Sequence, residues 1–261
     1  MKNVLICAVI VMGAGLAIAQ EEPGAPPFFL VADAEIGKTE IGPWSKAVAA
    51  LVDAHEAHAD GTMWATFREL TGGPDVRVSF FHGFSKLADL DDWISNRKVL
   101  VDVLGPVDGG AVKDALARGV DSSDRVMKLV EELSRPWAGT EPPRYLWVVT
   151  VRMADGKMTE YASLAKRVRR AYDSHAGDAH WLCYANAIGG ENSELTFYYG
   201  FNAFAEVDSW PSRREILATA HGERNGARLA SALESITETT TSLWRYEPEL
   251  SRLGGEGQSG D

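Results

Sequence analysis

Apolar and polar positions alternate along this chain in two successive passes that follow the same order. Residues 28–34 (FFLVADA) and 145–151 (YLWVVTV) are apolar runs rich in aromatic and β-branched types, which predicts strands. After the first run, Val48, Leu51, Val52 and His55 fall on one face at the helical period, and Pro43 suits the first helical position. After the second, the matching stripe is Ala165, Val168, Arg169 and Tyr172, with Arg169 at its edge. Residues 64–70 and 181–187 predict second strands, and the Gly-Gly pairs after them predict hairpin turns. Residues 78–84 and 195–201 predict third strands. A helix capped near Ser85 or Asn202 should carry Leu87, Leu90 and Trp93 inward in the first pass. A further short helix is expected over 111–117 and 227–234, and a fourth strand over 126–133 and 243–246.

Shifted by 117 positions, the chain matches itself without a gap from His58/His175 to Arg135/Arg252, with 22 of 78 pairs identical. The stretch FFHGFSKLADLDDW at 80–93 returns as FYYGFNAFAEVDSW at 197–210. Shared positions include Trp64/Trp181, Gly83/Gly200, Trp93/Trp210, Gly109/Gly226 and a closing Leu-Ser-Arg. A period this long indicates duplication of a domain-sized unit, not a solenoid. Each pass reads strand, helix, strand, strand, helix, strand, the ferredoxin-like order. The fold class expected is therefore α+β: two tandem ferredoxin-like repeats, 28–135 and 144–252, packed sheet to sheet as an intramolecular α+β barrel. An aromatic sheet face would not stay bare, and two such sheets can bury each other. The Pro-rich segment 136–143 serves as linker, and 253–261 (LGGEGQSGD) reads as a disordered tail.

The first 19 residues break this pattern. Lys2 is followed by an apolar run that ends in Ala17-Ile18-Ala19, the signature of a secretory signal peptide with cleavage before Gln20. The run is short for a membrane span and has no basic stop after it. The address expected is periplasmic or secreted, with no membrane association once the leader is removed. Loss of Lys2 makes the net charge of −11 one unit more negative, which disfavours nucleic acid as a partner. Cys183 is then the only cysteine, so no intramolecular disulfide can form and the core alone holds the fold.

The element order, with its paired W…GG…FxxGF…W pattern, resembles the dimeric α+β barrel superfamily, which includes antibiotic-biosynthesis monooxygenase-like, stress-responsive barrel and NIPSNAP-like families. The resemblance covers about residues 28–252 and rests on topology and aromatic spacing. It implies a fused version of what is elsewhere a homodimer. Active members of the superfamily include cofactor-free oxygenases, isomerases and heme-degrading enzymes. The chlorite dismutase-like group, which uses heme, also fuses two units, but none of its diagnostic motifs is evident here.

Candidate site residues come from the second and third strands. His82 shares a strand face with Val78 and Phe80, and its counterpart is Tyr199. If that face lines the barrel, both side chains project into the cavity, where a histidine can take a proton and a tyrosine can donate to a ligand oxygen. The plainer alternative is a core position with a hydrogen-bonded tip. Trp64 and Trp181 fit either core packing or an apolar pocket wall. Arg68 stands opposite alanine in the second copy, so it either pairs with an acid such as Glu35 or meets an anionic ligand group. His55 reads as a buried histidine, His58 and His175 as helix-end residues, and Cys183 as buried filler. No metal motif, P-loop, dinucleotide fingerprint or nucleophile elbow is present, so no cofactor and no catalytic residue is assigned. The function expected is binding of a small, largely apolar molecule between the two sheets, by a monomer or homo-oligomer. The alternatives are a cofactor-independent oxygenase or isomerase, a heme-dependent enzyme, and a barrel packed shut for a structural role.

Overall fold

The computed structural model describes residues 25–59, 61–71, 75–91, 95–118, 120–137, 141–175 and 179–253. The expected leader, Trp93, the first Gly-Gly turn, part of the linker and nearly all of the tail lie outside the described residues. The protein is α+β, and its eight strands follow the order β1 (Phe28–Ile36), β3 (Val76–Phe84), β2 (Ala65–Glu69), β8 (Thr237–Tyr246), β5 (Tyr145–Met153), β7 (Glu194–Phe201), β6 (Trp181–Ile188), β4 (Val120–Leu129) in an antiparallel closed barrel.

The chain divides into two compact units, one of 26–125 with 246–253 and one of 126–245 among the described residues. The first unit holds β1 (Phe28–Ile36), α1 (Ile41–His58), β2 (Ala65–Glu69), β3 (Val76–Phe84), α2 (Asn96–Ala117) and the start of β4 (Val120–Leu129). In the second lie the end of β4, β5 (Tyr145–Met153), α3 (Met158–His175), β6 (Trp181–Ile188) and β7 (Glu194–Phe201). It continues with α4 (Phe204–Asp208), α5 (Arg213–His221), α6 (Glu223–Ser235) and most of β8 (Thr237–Tyr246).

Register explains the first core. Ala32 faces Phe80 and Ala34 faces Val78 across β1 and β3, while Thr66 of β2 faces Phe80. Strand alternation then puts Ala32, Ala34, Val78, Phe80 and Trp64 on one face, where they pack against Trp44, Val48 and Leu51 of α1 and Leu100 and Leu116 of α2. The second core is built alike, from Val151, Phe197 and Trp181 under Tyr161 and Ala165 of α3.

Two glycine positions shape the helical layer. Gly105 (φ +82°, ψ 168°) breaks α2 into two arms, and Gly222 (φ +78°, ψ 151°) separates α5 from α6 in the same way. Both conformations are essentially reserved for glycine. The arms fold back closely: a Cβ on Gly109 would lie 2.5 Å from the Leu100 carbonyl oxygen, and one on Gly226 would lie 2.6 Å from the Ala218 nitrogen.

Several expectations change. Helix α1 begins at Ile41, two residues before Pro43, which still falls where backbone N–H groups have no intrahelical partner. The segment after Ser85 is only a 3₁₀ turn, Leu87–Leu90, because the Asp89 carboxylate accepts from the Ser85 and Lys86 N–H groups and closes it early. Leu87 is consequently exposed, not inward, and Leu90 is half-buried. The helix expected over 111–117 is the second arm of a pair whose first arm was not anticipated. The fourth strands begin earlier than the apolar signal, at Val120 and Thr237, and 131–133 forms a 3₁₀ turn in place of strand.

Candidate functional site

The first unit brings His55, Trp64 and His82 together on the helix-facing side of its sheet. Alternation along β3 puts His82 on the Phe80 face, and its partner across the sheet is Leu30 of β1. This face is turned to α1, so His82 reaches the helix layer and not the opposite sheet face. The Trp64 ring lies 5.7 Å from His82 and 5.4 Å from His55, the latter edge-on. His55 Nε2 donates to Asn96 Oδ1 at 3.0 Å, which fastens α1 to the first arm of α2. The Trp64 indole N–H donates to the Leu250 carbonyl at 2.8 Å.

His82 Nδ1 lies 3.2 Å from the Met63 carbonyl oxygen. A carbonyl only accepts, so Nδ1 carries the proton and Nε2 is left with a bare lone pair. That Nε2 is buried and has no hydrogen-bond partner among the described residues. Burial lowers the His82 pKa to about 4, against the opposing pull of the Met63 carbonyl and with help from nearby His55. His82 is therefore a neutral imidazole at pH 7, 4% exposed.

Tyr199 and Trp181 occupy the corresponding place in the second unit, with rings 5.5 Å apart, beside Tyr172 and Trp210. Burial raises the Tyr199 pKa, so it keeps its phenol proton. Arg68 stands apart from both clusters and pairs with Glu247 at 3.3 Å; Glu35 pairs instead with Arg77. Cys183 is wholly buried with its pKa raised by burial, which fits filler and not a nucleophile. Among the described residues, no group of three or more His, Cys, Asp or Glu is placed to hold a metal ion.

A cavity of about 20 Å³ adjoins the histidine cluster through Trp64. Its walls are Ala32, Ala34, Trp44, Leu51, Trp64 and Phe80, and its polar edge is Asp33, Ser122 and Asp124. That volume accommodates one water-sized group. The Asp33 carboxylate is already engaged by the Ser79 hydroxyl and by Arg125 at 3.1 Å. Asp124 stands at the exposed rim; partial desolvation, with Asp33 nearby, raises its pKa. The Trp44 indole N–H is buried without an acceptor among the described residues.

Sequence reasoning passed over Trp44, Asn96 and Asp124. The available signals were Ala32 and Ala34, two small residues in a strand whose counterpart positions are Val149 and Val151, and Asp124 in β4, whose counterpart is Thr241.

No family model matches this chain, and no curated protein matches it. Solved structures do resemble it. A candidate monooxygenase from Fusobacterium nucleatum aligns over 85% of this chain and 93% of its own, at 10% identity and a TM-score of 0.51. A mutant chlorite dismutase from Candidatus Nitrospira defluvii aligns over 87% and 93% at 12% identity with a TM-score of 0.48. A heme-binding protein from Thermus thermophilus aligns over 86% and 92% at 14% identity with a TM-score of 0.44. At these identities the likeness concerns the α+β barrel fold alone.

Proposed function

We propose that this chain is an exported, fused member of the dimeric α+β barrel superfamily that binds a small, largely apolar molecule, and that its first half carries the ligand. Duplication of a ferredoxin-like unit supports the fusion: positions 117 apart form matching strands, matching helix breaks at Gly105 and Gly222, and matching close approaches at Gly109 and Gly226. The leader-like first 19 residues support export to the periplasm or beyond.

The observation that carries the binding reading is the cavity over Ala32 and Ala34, walled by Trp44, Trp64 and Phe80. Small ligands bind in concave, mostly apolar sites with a few polar groups, and the lining has that residue make-up around a space of about 20 Å³. A molecule larger than one water-sized group would enter by parting α1 from the sheet. In the second half, Val149 and Val151 occupy the counterpart floor and pack into its core. His82 is in the right protonation state for a base, but it is sealed behind Trp64, which favours binding over proton transfer as the role of this site.

The test has two parts. Protein recovered from the export compartment should begin near Gln20 and should release a small organic molecule on denaturation, both read by mass spectrometry. Ala32→Val with Ala34→Val, which copies the second half, should leave the protein folded and free of that molecule. Recovery of an intact Met1 would defeat the export reading. Undiminished ligand in the double valine variant would defeat the location of the site.

A further inference from the structure

One end of the second unit's sheet is left open by its helices. Along β5, Met153, Val151 and Val149 pack with Tyr161 and Ala165 of α3 and Leu233 of α6. Trp147 is next on the same face and is 40% exposed. Its ring lies 6.3 Å from that of half-buried Tyr199, tilted by 49°. Tyr145, the next residue again on that face, stacks on Phe201 at 5.4 Å and meets Phe204, itself 51% exposed, at 5.0 Å. The first half differs here: Leu30 stands at the position of Trp147 and is 5% exposed.

Cations flank these rings. The Arg144 guanidinium lies 5.3 Å from the centre of the Tyr145 ring. Arg245 of β8 is paired with Tyr145 across the sheet. Diagonal neighbours on one sheet face are roughly 7–8 Å apart, within reach of a long side chain, so Arg245 and Trp147 border the same patch. Both arginines are exposed. That face of β5 from Tyr145 to Val149, and the residues paired with it on β7 and β8, carry no acid. In a chain where 37 acids outnumber 26 bases, this is a local reversal of charge. The adjoining α4 has two acids: Glu206, whose carboxylate accepts from the Asn202 and Ala203 N–H groups at 3.2 and 2.9 Å, and exposed Asp208.

Size and charge select the occupant. Trp147 and Phe204 together expose on the order of 200 Å² of ring surface. A stable dimer buries roughly 800 Å² per partner, so a small molecule suits this patch and a second copy does not. An exposed aromatic face takes a flat ring by offset stacking. Guanidinium groups pair with a carboxylate and repel an ammonium. We propose that this ledge is a second binding site, for an aromatic carboxylate whose ring lies on Trp147 and whose acid group meets Arg144 and Arg245. It belongs to the second half and does not rest on the cavity of the first.

The experiment follows the indole N–H resonances of the full-length protein by two-dimensional NMR during titration with 2-naphthoate, 2-naphthamide and 2-naphthylmethylammonium. The Trp147 signal is identified by its absence in Trp147→Leu, which copies the first half. Naphthoate should shift that signal and bind about fivefold more tightly than the neutral amide, with the ammonium weakest. Trp147→Leu should weaken naphthoate about fivefold, read from the probe's own resonances. Arg144→Gln with Arg245→Gln should bring naphthoate down to the affinity of the amide. These positions are exposed, and unchanged remaining indole signals show that each variant is folded; the ranking of the three probes on native protein needs neither. Equal binding of acid and amide, or tighter binding of the ammonium, overturns the carboxylate assignment. Naphthoate binding that leaves the Trp147 signal unmoved, or that ignores Trp147→Leu, overturns the site.

Discussion

Trp64 and Trp181 are held in nearly the same way, yet they sit among different chemistry. Each indole N–H donates to the carbonyl of the leucine that opens a Leu-Ser-Arg stretch, Leu250 at 2.8 Å and Leu133 at 2.7 Å. Two positions on, the backbone N–H donates to a serine hydroxyl, Thr66 to Ser251 and Cys183 to Ser134. A ring from the first helix meets each tryptophan edge-on, His55 at 5.4 Å and Tyr172 at 5.2 Å. A ring from the third strand lies tilted beside it, His82 at 5.7 Å and Tyr199 at 5.5 Å. Packing shape is thus common to both halves, while the titratable groups differ. Planar rings of similar size satisfy the same contacts, so His and Tyr can exchange without disturbing the frame, and proton chemistry is free to differ.

The largest effect should be symmetric. Trp64→Ala and Trp181→Ala each remove a fully buried ring and its hydrogen bond to a leucine carbonyl, so each should lower unfolding stability by about 3–5 kcal/mol in denaturant titrations. A cost under about 1 kcal/mol for either would show that the two tryptophans are not equivalent anchors.

The next effect should be confined to the first half. His82 has a pKa of about 4 in the folded protein, below the ordinary 6.5. The unfolded chain therefore takes up a proton first as pH falls. The stability tied to neutral His82 is complete above about pH 6.5 and is lost progressively toward pH 4, by on the order of 3 kcal/mol in total. Unfolding measured from pH 7 to pH 4 should lose that slope in His82→Phe. Tyr199→Phe should leave it unchanged, because a phenol does not titrate in that window.

How much of this was legible beforehand depended on which signal each feature leaves. The strands and α1 were readable because apolar periodicity records packing directly. The two-arm form of α2 was not, since Gly105-Pro106 interrupts an apolar run and hides the first arm. The polar starts of β4 and β8 were missed for the opposite reason: DSSD and TETT carry no apolar alternation. The histidine was found as an odd residue on a strand face. Which way that face points is set by which side the helices cover, and alternation alone does not record it. Trp44 and Asp124 were invisible because the first looked like core and the second like a solvated acid.

Close approach of the helix arms should give a smaller and again symmetric penalty. A Cβ at Gly109 or Gly226 meets backbone, which cannot swing aside as a side chain can. Gly109→Ala and Gly226→Ala should each cost about 1–3 kcal/mol, with the arms forced apart. Thermal unfolding of the two variants should shift by similar amounts. A shift in only one would mean that the arms pack differently in the two halves.

The smallest effect tests whether Arg68 belongs to the site or to the frame. Arg68 pairs with Glu247 at 3.3 Å, both partly buried, and the counterpart positions in the second half are Ala185 and Val130. Both backbones keep the same contact, Glu247 N–H to the Thr66 carbonyl and Val130 N–H to the Cys183 carbonyl, each at 2.8 Å. The two halves therefore fill one structural slot with an ion pair or with an apolar pair. An ion pair of this exposure is worth about 1 kcal/mol or less, and an apolar pair of suitable size replaces it at little cost. Arg68→Ala alone should destabilise by about 1 kcal/mol, because it removes a cationic partner from the partly buried Glu247 carboxylate. Adding Glu247→Val should recover most of that loss, which a double-mutant cycle on urea unfolding would measure as coupling between the two positions. Neither variant should alter ligand release from the native protein, since the pair stands apart from the Trp44 cavity. Loss of ligand in Arg68→Ala without coupling to Glu247 would return Arg68 to the site and break the equivalence of the two slots.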